Sequence, residues 1–233
     1  MFKILISVVL FTFALNAGTI EALKAFKAGD YDKAFKLYKE SADANNTKAQ
    51  NALSYLYFNG LGVKKDTVKG VFWLAKAAIN DDVVAQNDLG MMYLTGVNVA
   101  QDSESAFTWL SKASDANNSN AQYNLALMYY RGDSVDENVT KASQLLELSA
   151  VGGNVSAQRN IGVVYMQLLK FDEAAKWLEK EAIRGDEKAY YLLGEIYCNK
   201  EEFVKAKKWV KLSKERGNRD ADLLWMKYNL GKY

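Results

Sequence analysis

Apolar residues recur along the chain with two periods, one of four residues and one of 36 residues. Within the stretch 49–57, alanine, leucine and tyrosine stand four positions apart, at Ala49, Leu53 and Tyr57. Residues at this spacing lie on one face of an α-helix, so each such stretch predicts an amphipathic helix. The long period is set by a repeated Ala-Gln pair, which begins at Ala49, Ala85, Ala121 and Ala157.

A second apolar column lies between successive Ala-Gln pairs and predicts a second helix in every period. Its members are each followed by leucine or valine and are Trp73, Trp109, Leu145, Trp177 and Trp209. Between the two helices of one period we expect Gly62 to adopt the left-handed backbone conformation that glycine tolerates. Asn98 and Ser134 hold the equivalent positions in the next two periods.

The repeats come in a long and a short form. The alanine column continues at Ala189 and Ala221 with a spacing of 32 residues, because the fifth and sixth repeats lack a four-residue loop insertion. The first repeat, 18–46, is also short, and 219–233 holds only a first helix, as a capping helix would. The pattern predicts an all-α domain over 18–233, with about six helix–turn–helix repeats and a C-terminal capping helix.

The first 17 residues have the composition of a signal peptide. One lysine, Lys3, precedes the mostly apolar run 4–15, and the small residues Ala17 and Gly18 follow. The run is shorter than the ~20 residues that span a bilayer, so we predict cleavage after Ala17 and export to the periplasm or the medium. An anchor that is never removed is the alternative. No further membrane span is expected.

Composition excludes several classes of function. The chain has no histidine, so it lacks the usual general base and the commonest metal ligand. Cys198 is the single cysteine and offers neither an internal disulfide nor a zinc-binding spacing. A net charge of +2 gives no whole-chain attraction to nucleic acid. We therefore expect no metal, no cofactor and no nucleic-acid partner.

Residues 57–78 carry the most specific motif in the chain, and their spacing resembles the Sel-1-like repeat. The matching residues are Tyr57, Gly60, Gly62, Val63, Asp66, Lys69, Trp73, Lys76, Ala77 and Ala78. The first, fifth and sixth repeats resemble short tetratricopeptide repeats, so the resemblance covers essentially all of 18–233. It implies a right-handed α/α superhelical solenoid with a concave groove, and a role as an adaptor, assembly factor or receptor for proteins or peptides.

A secreted, cysteine-rich branch of the same family suggests a rival function. Some of its members are described as penicillin-binding or weakly β-lactamase-active, which makes a hydrolase of this kind the alternative. The paired cysteines of that branch are missing here, and no serine has a lysine three positions on. The preferred interpretation is a non-catalytic scaffold that binds a protein or peptide in the cell envelope or outside the cell, with a purely structural role as a third possibility.

The predicted binding groove uses the first-helix positions that point away from the Ala-Leu-Tyr face. Counted from the alanine as position 1, these are positions 3, 4 and 7, and the candidates are taken from positions 3 and 4. They hold amides, aromatic rings and an arginine, which can bond a peptide backbone or anchor an interface. The candidate residues are Asn51, Asn87, Asp88, Tyr123, Asn124, Arg159, Asn160 and Tyr191.

Other prominent residues are interpreted as structural. The strict helical register of the Tyr and Trp columns favours core packing, and the Gln column favours packing or bonds between helices. A buried thiol is the expected state of Cys198, with a mixed disulfide to a partner as the alternative. The lysine-rich sixth repeat is interpreted as a solvated helix face, with an anionic membrane or acidic partner as the alternative. The sequence predicts no particular oligomeric state.

Overall fold

A computed structural model describes residues 18–233, and the predicted signal segment 1–17 lies outside the described residues. The described residues are helical, apart from the turns that join the helices. They form two compact units, unit 1 up to Ala121 and unit 2 from Gln122 to Tyr233.

The helices alternate with short turns, and twelve of them are as follows: α2 Tyr31–Asp43, α3 Thr47–Asn59, α4 Thr67–Ile79, α5 Val83–Thr95, α6 Ser103–Asp115, α7 Ser119–Arg131, α8 Val139–Val151, α9 Val155–Gln167, α10 Phe171–Ile183, α11 Glu187–Asn199, α12 Phe203–Glu215 and α13 Arg219–Lys227. They follow α1, whose described part is 18–27. A short 3₁₀ turn, Leu230–Lys232, comes after α13. The described residues thus hold six helix pairs followed by α13, which confirms the predicted all-α class and repeat organisation.

Helices that follow one another in the chain pack together within each unit, α2 to α6 in unit 1 and α8 to α13 in unit 2. Most of these helices begin at an aspartate or asparagine whose side chain accepts a backbone N–H of the first turn. Asp66 accepts the N–H of Lys69, and Asn154 accepts that of Ala157. The first N–H groups of a helix have no partner inside the helix, so such caps stabilise its start.

The turn inside the long repeats has the predicted conformation. Gly62, Asn98 and Ser134 have φ of +66°, +66° and +59°. Gly62 meets a second demand, because a Cβ there would lie 2.0 Å from the backbone oxygen of Tyr31. Glycine at this position therefore serves both the turn and a close approach to the preceding repeat.

The apolar columns form the core of each unit. In unit 1, Ala49, Leu53, Tyr57 and Trp73 are buried in one cluster. In unit 2, the same columns bury Ala157, Ile161, Tyr165 and Trp177. Members at intermediate exposure, such as Tyr93 and Trp109, keep the register but lie nearer the surface.

A small residue follows the leucine column and permits close helix packing. A Cβ on Gly162 would lie 2.7 Å from Cγ of Leu178, and a Cβ on Gly194 would lie 2.5 Å from Cγ2 of Val210. Glutamines of the Ala-Gln pairs join neighbouring helices. Gln86 Nε2 donates to the backbone oxygen of Ala78 at 3.1 Å, which satisfies a carbonyl at the end of α4.

Candidate binding surfaces

The predicted groove residues fall in both units and differ in accessibility. Asn51, Asn87 and Asp88 belong to unit 1, and the other five belong to unit 2. Arg159 and Asn160 are exposed, whereas Asn87 is only 8% exposed. Their placement does not test the predicted binding role, which stays a prediction.

Unit 1 contains an open groove of about 420 Å³ between α3 and α5. We call it the α3–α5 groove, and its lining is Asn51, Ser54, Tyr55, Phe58, Leu74, Asp88, Met91, Met92, Thr95 and Val97. Two of the predicted residues, Asn51 and Asp88, are therefore brought together here. The remaining lining is mostly aromatic and aliphatic, and Asp88 is its one ionisable carboxylate.

The polar residues of the α3–α5 groove are held in place by neighbours in unit 1. Asn51 Nδ2 donates to Oδ1 of Asp82 at 3.1 Å, and Asp82 also caps α5. Asn87 Nδ2 donates to Oδ1 of Asp88 at 3.0 Å. Burial raises the pKa of the Asp88 carboxyl above its ordinary value, although the Asn87 hydrogen bond opposes this effect.

The apolar side chains of this groove are not among the groove residues predicted from the sequence. Tyr55 and Met91 stand at position 7, one turn after position 3 or 4, and so share their face. Tyr55 is 52% exposed despite its size. Position 7 is one of the positions predicted to point away from the core, and a large apolar residue at that register is the signal that finds these side chains.

The five predicted residues of unit 2 are less uniform. Asn160 Nδ2 donates to the hydroxyl oxygen of Tyr123 at 3.0 Å, which joins α9 to α7. Asn124 is half-buried on α7. Tyr191 is half-buried on α11, and burial raises the pKa of its hydroxyl, with Glu195 and Asp220 adding to the rise.

Arg159 lines a second opening of about 670 Å³, entirely within unit 2. We call it the α9–α11 cleft, and its lining is Val155, Gln158, Arg159, Glu181, Arg184, Gly185, Asp186 and Lys188. Its lining is largely charged, in contrast to the α3–α5 groove. The sequence indicated Arg159 but not Arg184 and Lys188, which line the cleft together with it.

A buried carboxylate organises one wall of the cleft. Glu181 is 4% exposed and forms an ion pair with Arg184, whose Nη1 lies 2.6 Å from its Oε1. The same Nη1 donates to Oε1 of Gln158 at 2.9 Å. The guanidinium of Arg184 is thereby fixed between α9 and α10 while its side chain stays more than half exposed.

Cys198 has the expected buried state. Its side chain is 2% exposed, and burial raises the pKa of its thiol to about 11. A thiol in this environment is mostly protonated at neutral pH and reacts slowly.

Four lysines of the sixth repeat, Lys200, Lys205, Lys211 and Lys214, form ion pairs at the surface. Lys200 contacts Asp172 and Glu202, which raise the pKa of its ammonium above the ordinary value. Lys214 contacts Asp222. These pairs support the interpretation of a solvated helix face, although each contributes little to stability on its own.

Residues 18–233 hold neither a cluster of metal ligands nor a membrane span. Within this part of the chain, no group of three His, Cys, Asp or Glu side chains is placed to hold a metal ion. None of the helices there combines the length and apolar character that crossing a bilayer requires.

Comparison with protein families identifies the repeat. The Sel1 repeat model matches residues 24–46, 47–82, 83–118 and 119–154, which together make up more than half of the chain. No curated protein sequence matches the chain significantly.

Solved structures extend the comparison to nearly the whole chain. A Sel1 repeat protein from Oxalobacter formigenes is 28% identical, with 87% of this chain and 86% of that protein covered and a TM-score of 0.66. The protein c5321, a protective antigen of uropathogenic Escherichia coli strains with an SLR fold, is 28% identical over 89% of this chain and 47% of its own length, with a TM-score of 0.74. PilF of Pseudomonas aeruginosa shares the fold at 16% identity, with 94% and 97% coverage and a TM-score of 0.55.

Proposed function

The chain belongs to the Sel1 repeat family, and from this premise we propose that it is a non-catalytic scaffold that binds a protein or peptide partner as an adaptor or assembly factor. The membership agrees with the resemblance inferred from residues 57–78. The proposal also includes export, so that the scaffold works in the periplasm or outside the cell.

The observation that carries the proposal is the apolar lining of the α3–α5 groove. Tyr55, Phe58, Met91 and Met92 gather there at the surface. Aromatic rings and methionines are enriched at protein interfaces, and methionine adapts its shape to different partners. The groove therefore suits one or two apolar side chains of a partner segment.

Polar groups at the groove offer orientation to such a segment. Asn51 carries a carbonyl oxygen and a second N–H beyond the one given to Asp82, so it can bond a peptide backbone. Asp88 places a half-buried carboxylate beside the apolar lining, where a hydrogen-bond donor of the partner would satisfy it. Few, well-placed polar groups among apolar ones are typical of binding sites.

Photocrosslinking in the producing cell tests the site. A benzophenone amino acid at position 55 should yield a discrete crosslinked species, whose partner is identified and then produced as a purified protein. Tyr55→Ala/Met91→Ala should weaken the affinity for that partner by about ten-fold or more, because interface anchors are concentrated in a few residues.

A matched control uses an exposed ring elsewhere in unit 1. Phe72 on α4 is 58% exposed, comparable to Tyr55 at 52%. Phe72→Ala should leave the affinity unchanged, and a benzophenone at position 72 should not give the same species. Equal losses in the Phe72 and Tyr55 variants would contradict the placement of the site in the groove.

Export is tested separately through the mature N-terminus. Protein isolated from the producing cells should begin at Gly18 and be found in the periplasmic or extracellular fraction. Retention of Met1 in a membrane fraction would instead indicate the anchored alternative, and a cytosolic location would contradict export.

A further inference from the structure

The α9–α11 cleft carries charge that its own residues do not fully neutralise. Three cations line it, Arg159, Arg184 and Lys188, against the two anions Glu181 and Asp186. The cleft is open to solvent and has about 670 Å³ of space. It lies in unit 2 and is not part of the groove on which the proposed function rests.

Both anions of the cleft already have partners inside the unit. Glu181 is buried against Arg184. Asp186 caps α11, where Oδ1 accepts the backbone N–H of Lys188 at 2.9 Å. A carboxylate used in this way is committed to the helix start and adds stability there.

Two of the cations have no such commitment. Among residues 18–233, no ion pair joins Arg159 or the ammonium of Lys188 to a carboxylate. In unit 1 the residue at the register of Arg159 is Asn51, which bonds to the helix cap Asp82. The corresponding cap in unit 2 is Asp186, which lines the same open cleft as Arg159, and within the described residues no hydrogen bond or ion pair joins the two.

Arg184 is held in an orientation that suits ligand binding. Its two hydrogen bonds, to Glu181 and Gln158, both use Nη1. The Nε and Nη2 donors of the same planar group are left for a further acceptor. A guanidinium fixed in advance loses little conformational entropy when it binds a carboxylate in a two-pronged manner.

We propose that the α9–α11 cleft is a second binding site, which takes the carboxylates of an acidic peptide segment of a partner protein. Arg159, Arg184 and Lys188 contact the carboxylates, and Glu181 acts as a positioning residue for Arg184. The exposed side chain of Val155 at the rim gives the segment an apolar contact. The carboxylates are those of Asp or Glu side chains of the segment.

Fluorescence anisotropy with three short labelled peptides tests the proposal on the full chain. One peptide is rich in glutamate and amidated at its C-terminus, the second replaces glutamate by glutamine, and the third is the glutamine peptide with a free C-terminal carboxylate. The glutamate peptide should bind more tightly than the amidated glutamine peptide, and added salt should weaken it. Binding of the third peptide alone would overturn the assignment to acidic side chains.

The decisive variant is Arg159→Ala/Lys188→Ala. It should weaken binding of the acidic peptide by about five-fold or more, the combined effect expected of two exposed charge contacts. Arg184 is kept in this variant because its removal would leave the Glu181 carboxylate buried without a cation.

The matched control, Lys176→Ala/Arg219→Ala, removes one lysine and one arginine from exposed positions of the same unit. It should retain the affinity of the unmodified chain. Both double variants should have the same urea unfolding midpoint as the unmodified chain. Equal binding of the glutamate and amidated glutamine peptides would overturn the proposal, as would equal losses in the control and decisive variants.

Glu181→Gln examines the positioning role. An uncharged amide still fits the buried space but holds Arg184 less firmly. Affinity should fall with little change in the salt dependence, since Arg159 and Lys188 remain. A variant with unchanged affinity would assign Glu181 to structure alone.

Discussion

The α3–α5 groove and the α9–α11 cleft occupy two units built from the same helix pair, yet their surfaces have opposite chemistry. In unit 1, position 3 holds Asn51, which bonds to the next helix cap, and the lining beside it is apolar. In unit 2, position 3 holds Arg159, and a charged cleft stays open. The columns that build the core are shared, so a repeat of this kind changes its ligand chemistry without changing its packing.

The units also differ in how neighbouring helices are bonded inside them. In unit 2, the hydroxyls of Tyr165 and Tyr197 donate to Glu147 and Glu179, at 2.8 Å and 2.7 Å. In unit 1, Tyr93 holds the same column, but the residue 18 positions before it is Ala75, which has no side-chain acceptor. At the tyrosine column, a bond from hydroxyl to glutamate thus supplements apolar packing in unit 2 and has no counterpart at Tyr93.

The largest expected effect concerns the turn of the long repeats. Gly62→Ser installs the residue that unit 2 has at this register, Ser134, but its Cβ would lie 2.0 Å from the Tyr31 oxygen. The free energy of unfolding should fall by at least about 3 kcal/mol, because the backbone must move apart. Urea denaturation followed by circular dichroism measures it.

The reverse change is the control for this prediction. Ser134→Gly should alter stability by less than about 1 kcal/mol, since it removes only a side chain from the same left-handed conformation. Equal changes in the two variants would contradict the importance of the close approach between Gly62 and Tyr31.

A smaller effect is expected from exchanging the short turns. Unit 1 uses Gly29 and the capping Asp30, whereas unit 2 uses Leu169, at φ +57°, and Lys170, which makes no side-chain cap bond. Leu169→Gly/Lys170→Asp should stabilise unit 2 by about 1–2 kcal/mol, by relieving the left-handed leucine and adding a cap.

The reciprocal variant, Gly29→Leu/Asp30→Lys, should destabilise unit 1 by a similar amount. Thermal and urea unfolding of both variants measures the two changes. A loss of stability in the unit 2 variant would show that Lys170 has a structural role that outweighs the missing cap.

The smallest effect concerns the tyrosine hydroxyls. Tyr197→Phe should lower the free energy of unfolding by about 1 kcal/mol, the net contribution of one part-buried side-chain hydrogen bond. Tyr93→Phe in unit 1 should have less than half of this effect. Urea titrations of the two variants test the contrast, and equal losses would contradict the role given to Glu179.

The same bond predicts a dependence on pH. Burial and Glu179 raise the pKa of the Tyr197 hydroxyl from its ordinary value of 10.0 to about 12. The folded state therefore holds this proton more tightly than the unfolded state, and stability should fall as the pH rises from 10 towards 12. Tyr197→Phe should lessen that fall, because it removes the ionising group.

Much of the fold was predictable because its signals are local. The columns of Ala49, Leu53 and Tyr57 report a helix face, and the positions of Gly62 and Asn98 report a left-handed turn. The candidate site was less predictable. Position 3 indicated Asn51 and Arg159, but the periodicity did not reveal that Asn51 bonds to the cap of the next first helix.

Local sequence patterns specify the helix pairs, their long and short turns and the buried columns, since helices and turns depend on residues close in the chain. The side-chain contacts between neighbouring repeats depend on how the helices pack. Asn51 reaches Asp82 over 31 positions, and Arg184 reaches Gln158 over 26. Such contacts depend on the distance between packed helices and on side-chain reach, which no period in the sequence encodes.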